Sequence, residues 1–359
     1  HYLVSSLHFC TKTWNWQLLS SAMSVAGISA EAVKEAYKRI RAHVHLTRVF
    51  TCDALNQRAS SVAGSEKQFF LKAEHEQRVG AFKIRGAVNA ISLSTAQHIV
   101  TDSSGNHAQA IALGCKLLDR KAVVVMPNNS PSVKVNAVRD TYGGEVRFCE
   151  PTQEAREAMS SGTVEELQER YGADKAESIH PNQDVRVING QGTIALEFLE
   201  QQGDIDAIVA SIGGGGMIAG IATYAKHVKP DIKIIGAEPA AAKSAYMSKK
   251  EGKLVTNPPN TAIVSIADSV KSSLGPNSYP IVDKLVDDVF IVSEQEIEDA
   301  TKFVMERSKQ VIEPGCGVAV AVATSKAFHE KYPDLKKIGI VMCGGNVDLD
   351  NLPWVVAKK

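Results

Sequence analysis

The chain lacks the marks of a nucleic-acid or membrane-surface protein. Forty Lys and Arg balance forty Asp and Glu over 359 residues, so there is no net electrostatic footprint for DNA, RNA or an anionic bilayer. No apolar run approaches the roughly 18 residues needed to cross a membrane. The six cysteines (Cys10, Cys52, Cys115, Cys149, Cys316, Cys343) form no CxxC pair and no metal-ligand spacing. That pattern excludes a disulfide scaffold and predicts reduced thiols in a cytoplasmic protein. There is no internal repeat and no low-complexity block. With 26 Gly and 13 Pro in a chain 44% hydrophobic and 22% charged, collagen-like and disordered readings are out as well. Small molecules remain as partners, with no nucleic acid and no membrane among them.

Residues 1–22 read HYLVSSLHFCTKTWNWQLLSSA. Basic character is slight and Thr, Lys and Asn break the apolar stretch, so a secretory signal fits poorly. The segment is expected to be a disordered or extraneous leader, with Met23 as the start. From about Ile28 onward, short β-branched runs alternate with longer helical stretches. Strands are predicted at His98–Thr101, Ala122–Met126, Glu145–Cys149, Ala207–Ile212, Lys233–Gly236, Val289–Val292 and Ile338–Met342. Helices are predicted at Asn106–Leu118, Ser132–Tyr142, Thr152–Tyr171, Gln191–Gln201, Met217–His227 and Ile297–Gln310, the last with a Ser293/Glu296 capping box. This alternation implies α/β architecture: two parallel-rich sheets flanked by helices, with a cleft between them. In open α/β sheets ligands bind beyond the carboxyl ends of the strands, so Gly- and Ser-rich turns there carry the chemistry.

Three turns meet that description. Ser211-Ile-Gly-Gly-Gly-Gly-Met217 places four bare glycines between a strand and a helix, where backbone N–H groups converge on an anion. It matches neither G-x-G-x-x-G nor G-x-x-x-x-G-K-[ST], which disfavours a dinucleotide or P-loop nucleotide; a plain tight turn is the alternative. Asp102-Ser-Ser-Gly-Asn-His107 suits a carboxylate at a helix start through Ser103, Ser104, Gly105 and Asn106, although ordinary N-capping explains it equally well. Cys343-Gly-Gly-Asn346 ends the last strand, where a thiol is usually only a small buried residue. A fourth element, Gly80-Ala-Phe-Lys-Ile-Arg-Gly86, sets Lys83 among apolar and small neighbours. Desolvation there lowers an amine pKa and makes it a usable nucleophile or base. Together these are the four parts that a pyridoxal phosphate enzyme needs. The glycine cradle takes the phosphate, Lys83 the aldehyde, Asn106 the ring hydroxyl and Cys343 the ring nitrogen.

The text GAFKIRGAVNA, SSGNHAQAIALG, HPNQDVRVINGQGTIALEF, IGGGGMIAGIA, IADSVKSSLG, LVDDVFIVSEQEI, VIEPGCGVAVAV and IVMCGGNVDL, spanning about Ile40 to Leu349, resembles the fold-type II pyridoxal phosphate enzymes. Within them it is most similar to the serine racemase and serine/threonine dehydratase family, on the side of the eukaryotic serine racemases. The resemblance implies the two-domain fold of tryptophan synthase β. A large cofactor domain would cover 23–96 and 175–359, and a small mobile domain 97–174. It implies roles for Lys83, stacked near Phe82, for Asn106, and for Gly213, Gly214, Gly215, Gly216 and Met217 at the phosphate. Ser103, Ser104, Gly105 and His107 become the substrate-carboxylate clamp, and Arg156 and Asn182 lie near substrate or cofactor. Ser104 matches the racemase serine that acts opposite the lysine, where simple dehydratases have a small inert residue.

Departures from the family pattern point the other way. Racemase-like members have Ser as the ring-nitrogen partner, whereas Cys343 stands here, as in animal-type serine dehydratases. A thiol is a weak donor and leaves the ring nitrogen mostly unprotonated, which favours elimination. The family's divalent-cation (Mg2+) site maps to Glu238 and the Ala242 carbonyl, but Ser244 replaces its second carboxylate, which weakens a site for a hard cation. The ATP activation site, at a subunit interface of the expected homodimer, maps to Gln109, Tyr142, Lys309 and Asn346, while Cys52 and Asp53 replace hydroxyl-bearing residues there. Ser269 stands where the family's IADG motif has glycine. The expected activity is serine racemisation with elimination of water to pyruvate and ammonia. A dehydratase of L-serine, L-threonine or 3-hydroxyaspartate is the rival, and aspartate racemisation ranks lower. A non-catalytic cofactor-binding paralogue would have lost the lysine or the glycine cradle, and both are intact. His45 and His180 are expected to pack or hydrogen-bond rather than catalyse.

Overall fold

Two sheets organise the computed structural model, which describes residues 25–259 and 262–356; the leader 1–22 and Met23 fall outside these. In chain order the elements are α1 (Ala30–Ile40), β1 (Val49–Phe50), α2 (Asp53–Ala63), β2 (Gln68–Lys72), α3 (Lys83–Leu93), β3 (His98–Thr101), α4 (Asn106–Leu117), β4 (Lys121–Pro127), α5 (Ser132–Asn136), β5 (Glu145–Cys149), α6 (Gln153–Tyr171), β6 (Ala176–Ser178), α7 (Val185–Gln201) and β7 (Ala207–Ser211). They continue as α8 (Gly216–Val228), β8 (Lys233–Pro239), α9 (Ser244–Glu251), α10 (Tyr279–Leu285), β9 (Asp288–Val292), α11 (Glu294–Ser308), α12 (Pro314–Ala323), α13 (Lys326–Lys331), β10 (Lys337–Val341) and α14 (Pro353–Val356).

The six-stranded sheet has the order β1-β2-β10-β7-β8-β9 and the four-stranded sheet β5-β4-β3-β6. Every pairing is parallel except β1 with β2. Parallel strands covered on both faces read as continuous apolar runs, and AIVAS of β7 is buried at every position. The helix α12, PGCGVAVAVA, is likewise buried all round and belongs to the core of the larger sheet. A second core joins α3 and α4 to one face of the smaller sheet, and α6 covers the other. Its fourth strand, β6, lies just past residue 174.

The seven expected strands all form, two with the predicted ends and the others within three residues of them, and the Ser293/Glu296 capping box is present. Three differences have local causes. The helix predicted from Gln191 begins at Val185, because the Asp184 side chain accepts from Arg186 N and starts it earlier. The helix predicted over Ser132–Tyr142 divides into α5 and a π-turn at Ala137–Thr141. Strands β1, β2 and β6 escape a periodicity reading because two are very short and β2 carries the buried charge Lys72.

Candidate active site

A cleft of about 1300 Å³ opens at the carboxyl ends of β3, β7 and β10, where the turns singled out above converge. Its lining takes in Phe82, Lys83, Ser103, Ser104, Gly105, Asn106 and His107. Arg156, Asn182, Gly213, Gly214, Gly215, Gly216, Met217 and Cys343 complete the set predicted for cofactor and substrate. Lys83 opens α3. The preceding turn is fixed by backbone bonds from Phe82 N to Cys343 O (3.1 Å) and from Gly345 N to Gly80 O (2.9 Å). Its Nζ donates to Pro181 O at 2.8 Å and lies 5.2 Å from the Phe82 ring centroid. Burial pushes the amine down to about 8 against the pull of Cys343 and Glu313. A substantial neutral fraction therefore exists near physiological pH, which is what attack on an aldehyde requires.

Asn106, the first residue of α4, is held from both sides. Its Nδ2 donates to the two oxygens of Glu313 at 3.1 Å each, and its Oδ1 accepts from Asn346 Nδ2 at 2.9 Å. Asn346 Nδ2 also donates to Val79 O at 2.7 Å. The amide orientation follows from these partners: oxygen toward Asn346, nitrogen toward the carboxylate. Cys343 closes the floor. Its thiol is raised well above the ordinary range, by contact with the Cys316 thiol first and by burial second, so it presents a neutral group.

The glycine turn fits a phosphate. A Cβ at Gly214 would stand 2.0 Å from Asn182 Nδ2, one at Gly215 2.5 Å from Leu274 Cδ2, and one at Gly216 2.9 Å from Asn182 O. Gly215 has φ +82° and starts α8 with no side-chain cap, which leaves first-turn N–H groups for an anion. The Ser211 hydroxyl beside them is buried without a partner among the described residues. Gln183 braces the turn: its Nε2 donates to Gly214 O (2.9 Å) and Ser278 Oγ (3.1 Å), and its Oε1 accepts from Asn277 N (3.0 Å). Bare glycines, an unpartnered hydroxyl, a desolvated amine and a neutral thiol together fit pyridoxal phosphate.

On the side of the smaller sheet, Gly105 is the N-cap of α4 and no side chain caps it. Ser103 Oγ accepts from Gly105 N at 3.4 Å, so ordinary capping does not occupy Ser104. His107 is buried, with Nε2 3.3 Å from Ile179 O, and burial and the nearby Lys83 hold it well below its usual range. Arg156 bonds Gln153 at the start of α6. His180 lines the cleft, but its Nδ1 accepts from Asn182 N and Gln183 N. Burial lowers its pKa, so it serves as a neutral turn brace. His45 lies outside the cleft lining and exchanges hydrogen bonds with Gln77.

Glu238 sits elsewhere, with its two oxygens accepting from Ala245 N (2.9 Å) and Tyr246 N (2.8 Å). It therefore caps α9, and burial pushes it up to about 8. Ser244 Oγ accepts from Leu274 N. A carboxylate spent on a helix start, with no second one beside it, does not fit a hard cation. Among the described residues no group of three His, Cys, Asp or Glu is placed to hold a metal. The four nucleotide candidates do not share a cavity within one chain. Gln109 and Asn346 line the cleft, Tyr142 lines a separate pocket of about 300 Å³, and Lys309 bonds the Glu306 carbonyl at the end of α11. Sequence reasoning missed Glu313, Gln183 and the role of Ser211. A lone acid inside VIEPGCGVAVAV was the available signal for Glu313.

Residues 40–344 match the family model described as pyridoxal-phosphate dependent enzyme. The chain is 44% identical to human serine racemase over 91% of its own length and 94% of that protein's. Among solved structures, maize serine racemase superposes with a TM-score of 0.83 at 39% identity, covering 92% of this chain and 98% of that one. A pyridoxal 5'-phosphate-dependent aspartate racemase gives 0.83 and 39%, covering 91% and 98%.

Proposed function

The chain belongs to the pyridoxal-phosphate-dependent enzyme family, and from that membership we propose that it is a serine racemase, interconverting L- and D-serine, with loss of water to pyruvate and ammonia as a parallel activity. The observation that carries the racemase reading is Ser104, which lines the same cleft as Lys83 and is not spent on capping α4. The bound cofactor supplies an electron sink that acidifies the substrate α-hydrogen. On this reading Lys83 takes or returns that proton on one face and Ser104 on the other, so that either hand of serine leaves. The turn Ser103–His107 holds the substrate carboxylate with Arg156 nearby. Asn106 donates to the ring hydroxyl, and Gly213–Gly216, Met217, Asn182 and Ser211 hold the phosphate end.

The second reading, a dehydratase without racemisation, draws on the neutral Cys343 thiol. A weak donor leaves the ring nitrogen unprotonated, which favours loss of the β-hydroxyl in step with proton removal. One assay separates the two: L-serine with and without Mg-ATP, following D-serine by chiral chromatography and pyruvate by a coupled reaction. We expect both products from the wild type. Ser104→Ala should lose D-serine formation by about 10²-fold or more, the span of a positioned acid/base, while pyruvate persists. Pyruvate with no D-serine from the wild type would leave the dehydratase.

Pyridoxal phosphate is the one resident cofactor of this proposal. Glu238 is assigned to holding α9 and Ser244 to the Leu274 backbone rather than to Mg2+, which leaves the Ala242 carbonyl without partner ligands, and any ATP effect must come from a site built between subunits. The lobe of the six-stranded sheet acts as the cofactor domain and that of the four-stranded sheet as a mobile domain closing on it. A homodimer in the cytoplasm is the setting. In support of a reducing compartment, the five cysteines among the described residues are all free and buried.

A further inference from the structure

Val79 is held in a backbone conformation that its own side chain resists. Three residues other than glycine have positive φ among the described residues. Asp119 and Lys309 are exposed, whereas Val79, at φ +60° and ψ +12°, is β-branched and buried. A β-branched residue in the left-handed region is a genuine outlier, and it persists only where its surroundings over-determine it. They do so here from three directions. The Val79 side chain belongs to the apolar core that α3 and α4 share with the smaller sheet. Before it, Gln77 is pinned to the His45 backbone, with Oε1 accepting from His45 N (2.8 Å) and Nε2 donating to His45 O (2.7 Å), and Oε1 also accepts from Arg78 N (2.9 Å). After it, Gly80 N donates to Gln77 O at 2.8 Å and Ala81 bridges Gly344.

What the strained turn delivers is a carbonyl. Val79 O accepts from Asn346 Nδ2 at 2.7 Å, and the same nitrogen donates to Asn106 Oδ1 at 2.9 Å. Both hydrogens of one amide are thus spent, one on the turn that leads into Lys83 and one on Asn106. Gly80 lets the amide lie this close, since a Cβ there would stand 2.7 Å from Asn346 Oδ1. We propose that Val79 is a positioning residue: its left-handed backbone aims a carbonyl at Asn346, which then ties the lysine turn to Asn106 at one fixed separation. The need for a fixed separation is chemical. In pyridoxal phosphate the aldehyde and the ring hydroxyl sit on adjacent ring carbons, so the amine and the amide that meet them cannot drift apart. A relaxed Val79 would swing its carbonyl away, and Asn346 would keep hold of Asn106 alone. This role rests on the assignment of Lys83 to the aldehyde and Asn106 to the hydroxyl made above.

The test uses the cofactor-loaded enzyme and reads Tm beside kcat and KM for L-serine. At a buried site with ordinary φ, alanine is more stable than glycine; at positive φ the order inverts. Val79→Gly should therefore melt about 2 °C above Val79→Ala, and as both lack the valine packing, the difference reports the backbone. The kcat values should follow the same order, because glycine keeps φ +60° and the carbonyl on Asn346, whereas alanine, without that packing to hold it, relaxes. Asn346→Ala should lower kcat by about 10- to 100-fold, the scale of a misplaced reacting group, with KM within about twofold. Asn346→Asp keeps the shape but cannot donate, and should match the alanine variant. In an Asn106→Ala background the loss of Asn346 should add little, the non-additivity of residues in contact. An alanine at 79 at least as stable or as active as the glycine, or an unchanged kcat or a fully additive effect at Asn346, would overturn the proposal. A failure of the Asn106 assignment reads differently: Asn106→Ala would leave the visible band and cofactor retention unchanged, while the order of glycine and alanine in Tm would stand.

Discussion

Lys83 shows how much one residue's chemistry depends on what surrounds it. An ordinary lysine is protonated until pH passes about 10.4, but burial brings this amine to about 8. A lowered amine pKa means the reactive neutral form appears earlier as pH rises. The rate at which cofactor-free protein takes up pyridoxal phosphate should therefore climb through about pH 8, with no further climb near pH 10. Stopped-flow absorbance would read it, and Lys83→Ala should form no band that borohydride removes. The setting of Lys83 was legible in the string GAFKIRGA, because small and apolar neighbours in sequence are also its neighbours in space. Its partner Pro181 O was not, being 98 residues away.

Among the elements, α3 carries Lys83 and is pinned two residues later. Arg85 is fully buried; it donates to Glu74 at 2.7 and 2.8 Å and to Glu197 at 2.8 and 2.7 Å. Lys72 Nζ adds 2.7 Å bonds to Glu197 and to Thr47 O. Burial opposes the charge on Glu74, yet the Arg85 guanidinium holds that carboxyl below its usual range. Two buried cations thus offset two buried anions, tying α3 to α7 and β2. Removing one member of such a set leaves uncompensated charge and costs about 3–5 kcal/mol. Arg85→Met should lower the free energy of urea unfolding by that amount and weaken cofactor retention, since the start of α3 loses its anchor. The sequence of that helix start reads as an amphipathic pattern alone; four charges converging from β2, the turn after it, α3 and α7 cannot be seen in any window of it.

For the molecule as a whole, the cleft is bridged at its rim by Lys134 of α5 and Asp268, 2.8 Å apart, with side chains 31% and 54% exposed. A half-exposed pair of this kind adds under about 1 kcal/mol to stability, so its weight falls on how the two lobes meet rather than on whether they fold. Lys134→Ala should leave Tm within about 2 °C, the shift that so small an energy produces in a chain of this size, and raise KM for serine several-fold. Salt screens exposed charges, so KM of the wild type should rise toward that of the variant as ionic strength increases. A KM indifferent to both changes would assign the pair to the surface alone.

The chemistry-bearing turns, the α/β class and the reactive lysine are legible in the order of residues alone. Each of these is written in three to seven contiguous residues whose conformational needs are local: glycines where backbone must approach an anion, serines at a helix start, a lysine among apolar neighbours. The tertiary structure alone decided which distant groups complete them. Asn106 meets Glu313 across 207 positions and Asn346 across 240, because β10 is placed beside β2 and β7 in the larger sheet. The same long-range order assigns Glu238 to the start of α9 and seats Ser269 in the space that Gly315 leaves empty. Such pairings depend on strand order and close approach of backbones, which no local pattern of residues encodes.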